Sequence, residues 1–184
     1  MKLLINFLIV ILIILSGCDQ VTEINAPPER ILNKQLINLP ERSGLSVEAQ
    51  TYFKDINGAN GGEFQKSFSY QKSSGGSVYQ FADLDFYPGE FPGTKTFSMT
   101  FNTDGAAMEF GPATQFQTGV EYTYKITGLD LTGINPNTLD FVYLDANGNM
   151  YEVDYEEVTM DASIGMLKVK NAKLPHFSRY GFVN

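Results

Sequence analysis

The sequence predicts an all-β protein, an antiparallel β-sandwich. Three observations carry that expectation. Short runs alternate apolar and polar residues with period two, the spacing that turns one strand face to a core. Clusters of Gly, Pro, Asn and Ser interrupt the runs at near-regular intervals. No stretch shows the capped, three-and-four spacing of a long amphipathic helix. The 184 residues hold 14 Phe and 10 Tyr but no Trp, so phenyl and phenol rings are the available core filler.

The strands follow in order. LSVEAQTYF (45–53) alternates, and NGANGG (57–62) turns the chain. EFQKSFSYQ (63–71) alternates through Phe64, Phe68 and Tyr70, and SSGG (73–76) turns it again. VYQFADLDFY (78–87) puts Tyr79, Phe81, Asp83 and Asp85 on one side, and Val78, Gln80, Ala82, Leu84 and Phe86 on the other. PGEFPG (88–93) breaks the chain before TKTFSMTF (94–101), whose Phe97, Met99 and Phe101 share a face. VEYTYKITGL (120–129), LDFVYLD (139–145), NMYEVDYEEV (149–158), MLKVKNA (166–172) and HFSRYGFV (176–183) complete the set. About ten strands joined by short turns suit a sandwich, and a body of this length buries more than half of its unfolded surface.

Composition excludes several functions. One Cys rules out an internal disulfide and a multi-cysteine zinc site. One His rules out a His-rich metal cage. A net charge of -8 argues against a basic footprint for nucleic acid.

The N-terminus reads separately. Lys2 precedes the apolar run Leu3–Leu15, interrupted only by Asn6. That run is too short to span a bilayer, which takes about 20 residues. It ends in Leu15-Ser16-Gly17-Cys18, which closely resembles the lipobox of bacterial lipoprotein signal peptides. The resemblance implies a signal peptide at 1–17, cleavage before Cys18 and a covalent lipid on Cys18. It implies a lipid-anchored, extracytoplasmic place in a bacterial cell envelope, with inner and outer membrane both open. Each buried acyl CH₂ adds about 0.8 kcal/mol to such an anchor. Residues 18–44 then form a tether rich in Pro27, Pro28, Pro40 and charges, and 45–184 the sandwich domain. Ile31, Leu32, Leu36, Ile37 and Leu39 do not suit a pure linker, so part of the tether is expected to pack as an edge strand or short helix.

Further motifs lie in the body. Pro88-Gly89 follows Phe86-Tyr87, Phe110-Gly111-Pro112 precedes Phe116, Tyr143-Leu144-Asp145 leads into Asn147-Gly148, and His176-Phe177-Ser178-Arg179-Tyr180 closes the chain. Over about residues 60–184 this order resembles the ZU-five β-sandwich domain and its bacterial extracytoplasmic relatives. Gln117-Thr118-Gly119-Val120 departs from it, because that family often has a proline before the valine. The His-Phe-Ser piece is similar to the self-cleavage site of a death-domain protein with tandem domains of this kind, and of a nucleoporin on another fold. The resemblance implies attack by the Ser178 hydroxyl on the Phe177 carbonyl, with His176 as general base. The simpler reading is a final strand whose aromatics plug the sandwich.

The function expected is therefore a membrane-anchored, non-enzymatic structural or interaction module. The alternative is a self-cleaving domain cut between Phe177 and Ser178. Partners are the membrane, through the lipid, and an envelope protein or polysaccharide; nucleic acid is not among them. No cofactor is expected beyond the lipid. Calcium is the one cation the sequence raises, at Asp145 and Asn147 or along Glu152, Asp154 and Glu156. Against it, Asn147-Gly148 reads as a hairpin turn, and the three carboxylates read as a solvated strand face. Tyr87 and Phe91 flank the PGEFPG loop as candidate sugar or partner contacts.

Overall fold

The computed structural model describes residues 29–44 and 49–184. The expected signal peptide, Cys18 and the start of the expected tether lie outside the described residues, as does 45–48. The strands are β1 (Arg30–Ile31), β2 (Ala49–Asn57), β3 (Gly62–Gln71), β4 (Ser77–Phe86), β5 (Thr94–Asn102) and β6 (Ala107–Gly111). They continue with β7 (Gln115–Thr127), β8 (Asp140–Leu144), β9 (Met150–Glu152), β10 (Glu157–Asp161), β11 (Met166–His176) and β12 (Arg179–Val183). Seven form one sheet in the order β1-β9-β8-β12-β6-β5-β2, and five form the other in the order β10-β11-β7-β4-β3. Pairing is antiparallel throughout. The all-β sandwich is the fold.

Period-two alternation explains the two layers. On β4 the side chains of Val78, Gln80, Ala82, Leu84 and Phe86 are buried, as their spacing requires. On β5 Phe97, Met99 and Phe101 are fully buried. Gln80 is the polar exception inside: its amide donates to Asn102 O at 2.9 Å and its carbonyl accepts the Tyr124 hydroxyl. A buried amide with both ends satisfied costs little. The edge strand β3 is protected by its neighbour β2, since Tyr52 Oη donates to Ser67 O at 3.2 Å and Lys54 Nζ to Glu63 O. Capping those carbonyls blunts a template for unwanted strand addition.

Two expected strands are broken. The run 149–158 was expected as one strand, but its chain leaves the seven-stranded sheet after Glu152 and joins the five-stranded sheet at Glu157. Backbone bonds to β11 guide the passage: Lys173 N donates to Asp154 O at 2.8 Å and Glu156 N to Lys170 O at 3.1 Å. Glu152, Asp154 and Glu156 therefore do not share a strand face. The closing run 176–183 is also divided. His176 ends β11 in one sheet, and Arg179 begins β12 in the other. An alternation that continues through a sheet-to-sheet corner looks, in sequence, like one strand.

The described part of the tether is built into the sandwich. β1 pairs with β9, Leu36 bridges to Val183, Asn38 to Gly105 and Arg42 to Lys72. Ile37 and Leu39 are buried in the main core. Ile31 and Leu36 cover a second apolar cluster of Val142, Leu144 and Val183 on the outer face of the seven-stranded sheet. Leu36 lies on a floor of two glycines. A Cβ on Gly105 would stand 2.5 Å from Leu36 Cδ2, and one on Gly181 would stand 2.7 Å from Ala107 Cβ and 2.9 Å from Leu36 Cδ1. Gly181→Ala is therefore expected to cost about 1–3 kcal/mol by overpacking. Urea unfolding would read this as a lower midpoint at unchanged slope.

Candidate functional site

The closing motif forms a corner between the sheets. His176 pairs with Gln115 of β7 at the end of β11, and Arg179 pairs with Glu109 of β6 and Leu144 of β8. Phe177 N donates to Thr114 O at 2.9 Å, and Phe110 N donates to Ser178 O at 2.8 Å. The Phe110-Gly111-Pro112 and His176-Phe177-Ser178 pieces, far apart in sequence, thus meet here. The Gly111–Pro112 peptide is cis. Phe177 is only 2 % exposed and turns fully inward. Its ring stacks on Phe110 at 5.2 Å and meets Phe86, Phe97 and Phe116 edge-on at 5.8, 5.0 and 4.9 Å.

His176 points elsewhere. Its ring meets Tyr143 edge-on at 4.6 Å, and Nδ1 lies 3.5 Å from Tyr180 Oη. Tyr180 Oη itself donates to His176 O at 2.6 Å. Among the described residues no hydrogen bond joins His176 to the Ser178 hydroxyl, so the general base and nucleophile of the cleavage reading are not paired in this state. Burial holds the imidazole below its ordinary pKa of 6.5, and a hydrogen bond with the Phe177 backbone offsets part of that. The neutral ring is thus favoured at neutral pH. Among the described residues the non-glycine positions in left-handed backbone are Asn33 and Asn171, and neither Phe177 nor Ser178 is one of them.

A cleft of about 360 Å³ opens beside the corner. Tyr143, Tyr180 and Glu152 come from the seven-stranded sheet, His176 and Lys173 from β11, and Asp154 from the passage between sheets. Thr118 of β7 completes one wall. Tyr151, Tyr143 and Tyr180 stand in cross-strand register on β9, β8 and β12. Their rings follow one another at 5.5 and 5.6 Å. Two sequence candidates of different origin, the acidic run and the closing motif, are therefore brought together in part.

The remaining candidates lie apart. Glu156 binds Lys170 and, at 2.7 Å, Asn171 Nδ2, which fixes the bulge of β11 where Asn171 has a φ of 49°. The Lys170 ammonium lowers its carboxyl pKa. Asp145 is the cap of its turn: Oδ1 accepts the amides of Asn147 and Asn149, each at 2.8 Å, and Oδ2 accepts Asn149 Nδ2 at 2.8 Å and Tyr151 Oη at 3.3 Å. The Asn149 side-chain bond leads the causes that lower its pKa. Asn147 contributes its backbone amide to this turn. Among the described residues no three His, Cys, Asp or Glu side chains converge to hold a metal. Phe91 is buried in the core against Phe86 and Phe97, so it offers no surface contact; Tyr87 is exposed.

Sequence reasoning missed Glu90. It sits in the PGEFPG loop yet is 3 % exposed. Its carboxylate accepts the Thr118 amide at 3.0 Å, the Gly119 amide at 3.2 Å and the Thr118 hydroxyl. It thereby pins the irregular start of β7, where the pairing with Leu174–His176 shifts register. The signal was a charged residue between Gly89 and Phe91 with no turn role of its own, which composition cannot separate from a solvated loop carboxylate.

Among the described residues three buried side-chain atoms have no hydrogen-bond partner: Asp83 Oδ1, Arg179 Nε and the Tyr122 hydroxyl. The Tyr122 hydroxyl is enclosed in the core, 5.1 Å between its ring and that of Phe110. A buried unsatisfied hydroxyl costs about 1–3 kcal/mol. Tyr122→Phe is expected to raise stability, by about 1 kcal/mol or more, and thermal unfolding would show an upward shift. A lower Tm would show that the hydroxyl is satisfied.

No family model matches the chain, and no similar curated protein or solved structure was found. What the fold defines is a two-sheet antiparallel β-sandwich protein.

Proposed function

We propose that this chain is a membrane-anchored, extracytoplasmic lipoprotein whose sandwich is a non-enzymatic interaction module. The observation that carries the second half is the closing motif. Phe177 is a keystone of the core, while His176 meets Tyr143 and Tyr180 and, among the described residues, makes no hydrogen bond to the Ser178 hydroxyl. A serine without a base is a poor nucleophile. The first half rests on the lipobox-like Leu15–Cys18 segment. The ZU-five resemblance gains a physical sense from the meeting of its two main pieces at one corner, and it supports a module that presents surfaces to an envelope partner.

Denaturing intact-mass measurement tests both halves. The expected species starts at lipidated Cys18 and runs through Asn184. An unmodified Cys18 removes the anchor. A chain ending at Phe177, restored to full length by Ser178→Ala, replaces the module with the self-cleaving reading. Denaturation is essential, because β12 lies between β6 and β8 and a cut strand would stay paired.

A further inference from the structure

We propose that the cleft beside the corner binds a single cationic side chain, a guanidinium or ammonium group presented by a protein partner. This rests on the interaction-module reading above. Three features select the occupant. The floor is aromatic: Tyr143 and His176 line it as half-buried rings set edge-on at 4.6 Å, and the buried Tyr180 ring backs Tyr143 at 5.6 Å. Such faces attract organic cations, and the molecule already uses them this way, with Lys66 over Tyr52 and Lys95 over Phe91, each at 5.5 Å from the ring centre. The rim carries the carboxylates of Glu152 and Asp154.

Lys173 is the one lysine among the lining residues. Lys173 stands directly opposite Glu121 across the β11–β7 pair, and opposite charges so placed attract. Among the described residues neither Glu152 nor Asp154 forms an ion pair, so both carboxylates are open to an incoming cation. Size sets the last constraint. About 360 Å³ is at the small end of ligand pockets, which run from about 300 to 1,000 Å³. It has room for one long side chain but not for a chain of sugars. The protein's net charge of -8 steers basic partners toward it.

The test is a titration of the full chain in neutral detergent with acetyl-arginine amide, followed by NMR shifts of the tyrosine rings. Acetyl-citrulline amide serves as the uncharged isostere and N-acetylglucosamine as the sugar probe. Saturable shifts at Tyr143 and Tyr180 are expected with the arginine compound alone. The double variant Glu152→Gln, Asp154→Asn is expected to weaken them about tenfold with the Tm unchanged, since both residues are exposed. Lys173→Ala is expected to strengthen them. Equal shifts with citrulline, preferential shifts with the sugar, or no saturation overturn the proposal. A flat titration on an intact, lipidated chain removes only the cation site; a truncated chain in the mass experiment removes the module reading itself.

Discussion

Phe177→Ala is expected to cost about 3–5 kcal/mol, the range for deleting a buried aromatic ring. The ring is 2 % exposed and touches four other phenylalanines, which come from β4, β5, β6 and β7. Two of those strands lie in each sheet, so the ring joins the layers. Dense surroundings on rigid strands collapse poorly into the space left behind, which places the cost at the upper part of the range. A domain of this kind has about 5–15 kcal/mol in total, so the variant would be unfolded to a measurable degree near physiological temperature. Urea unfolding followed by tyrosine fluorescence measures it. Phe177→Leu should lose distinctly less, since it keeps most of the apolar volume. A cost below about 1 kcal/mol for the alanine variant would mean that the corner tolerates loss of its plug.

This position shows how much was legible beforehand. That Phe177 plugs a sandwich follows from its place in an apolar, alternating run. That it sits at a corner does not, because period-two spacing carries no mark of which sheet a strand joins. The same limit hid the crossing at 153–156 and left Glu152, Asp154 and Glu156 on one imagined face. The short β6 (Ala107–Gly111) also escaped notice, since AMEFG is too brief to show a period. By contrast β4 and β5 were legible residue by residue, because buried residues alternate with more exposed ones along β4 and from Phe97 onward along β5. The Ile31, Leu36, Ile37 and Leu39 side chains gave a true warning that the tether was not all tether. Their partners, such as Gly105 and Gly181, are too distant in sequence to be named from it.

The candidate site was legible only in fragments for the same reason. Its chemistry comes from three segments that converge through topology. Tyr143, Tyr151 and Tyr180 are unremarkable core-forming residues in sequence, and only strand register aligns them as a ladder. The carboxylates reach the cleft because the chain changes sheets just there.

Glu90 yields the second large effect. Glu90→Ala removes the acceptor of two backbone amides and a hydroxyl in a site closed to solvent. Stranding such donors is expected to cost about 3 kcal/mol at neutral pH. The consequence extends beyond stability. The start of β7 that Glu90 pins lies alongside Leu174–His176, so its release should loosen the wall at Thr118 and broaden the tyrosine and histidine resonances of the cleft. The pH dependence gives an independent check. Burial opposes ionisation of Glu90, yet the hydrogen bonds from Thr118, Gly119 and Gln117 prevail and hold its pKa below the ordinary 4.5. The folded state then binds this proton less tightly than the unfolded chain. Its stabilisation is complete above the ordinary value and is lost as pH falls through 4.5 toward the lowered native value. The gap between wild type and Glu90→Ala, measured by urea unfolding, should therefore be widest near neutrality and narrow toward about pH 3. Glu90→Gln, which keeps one acceptor oxygen without a charge, should fall between the two and lack the narrowing. A gap of constant size across that interval would mean that the carboxylate supports β7 through its shape and not through its charge.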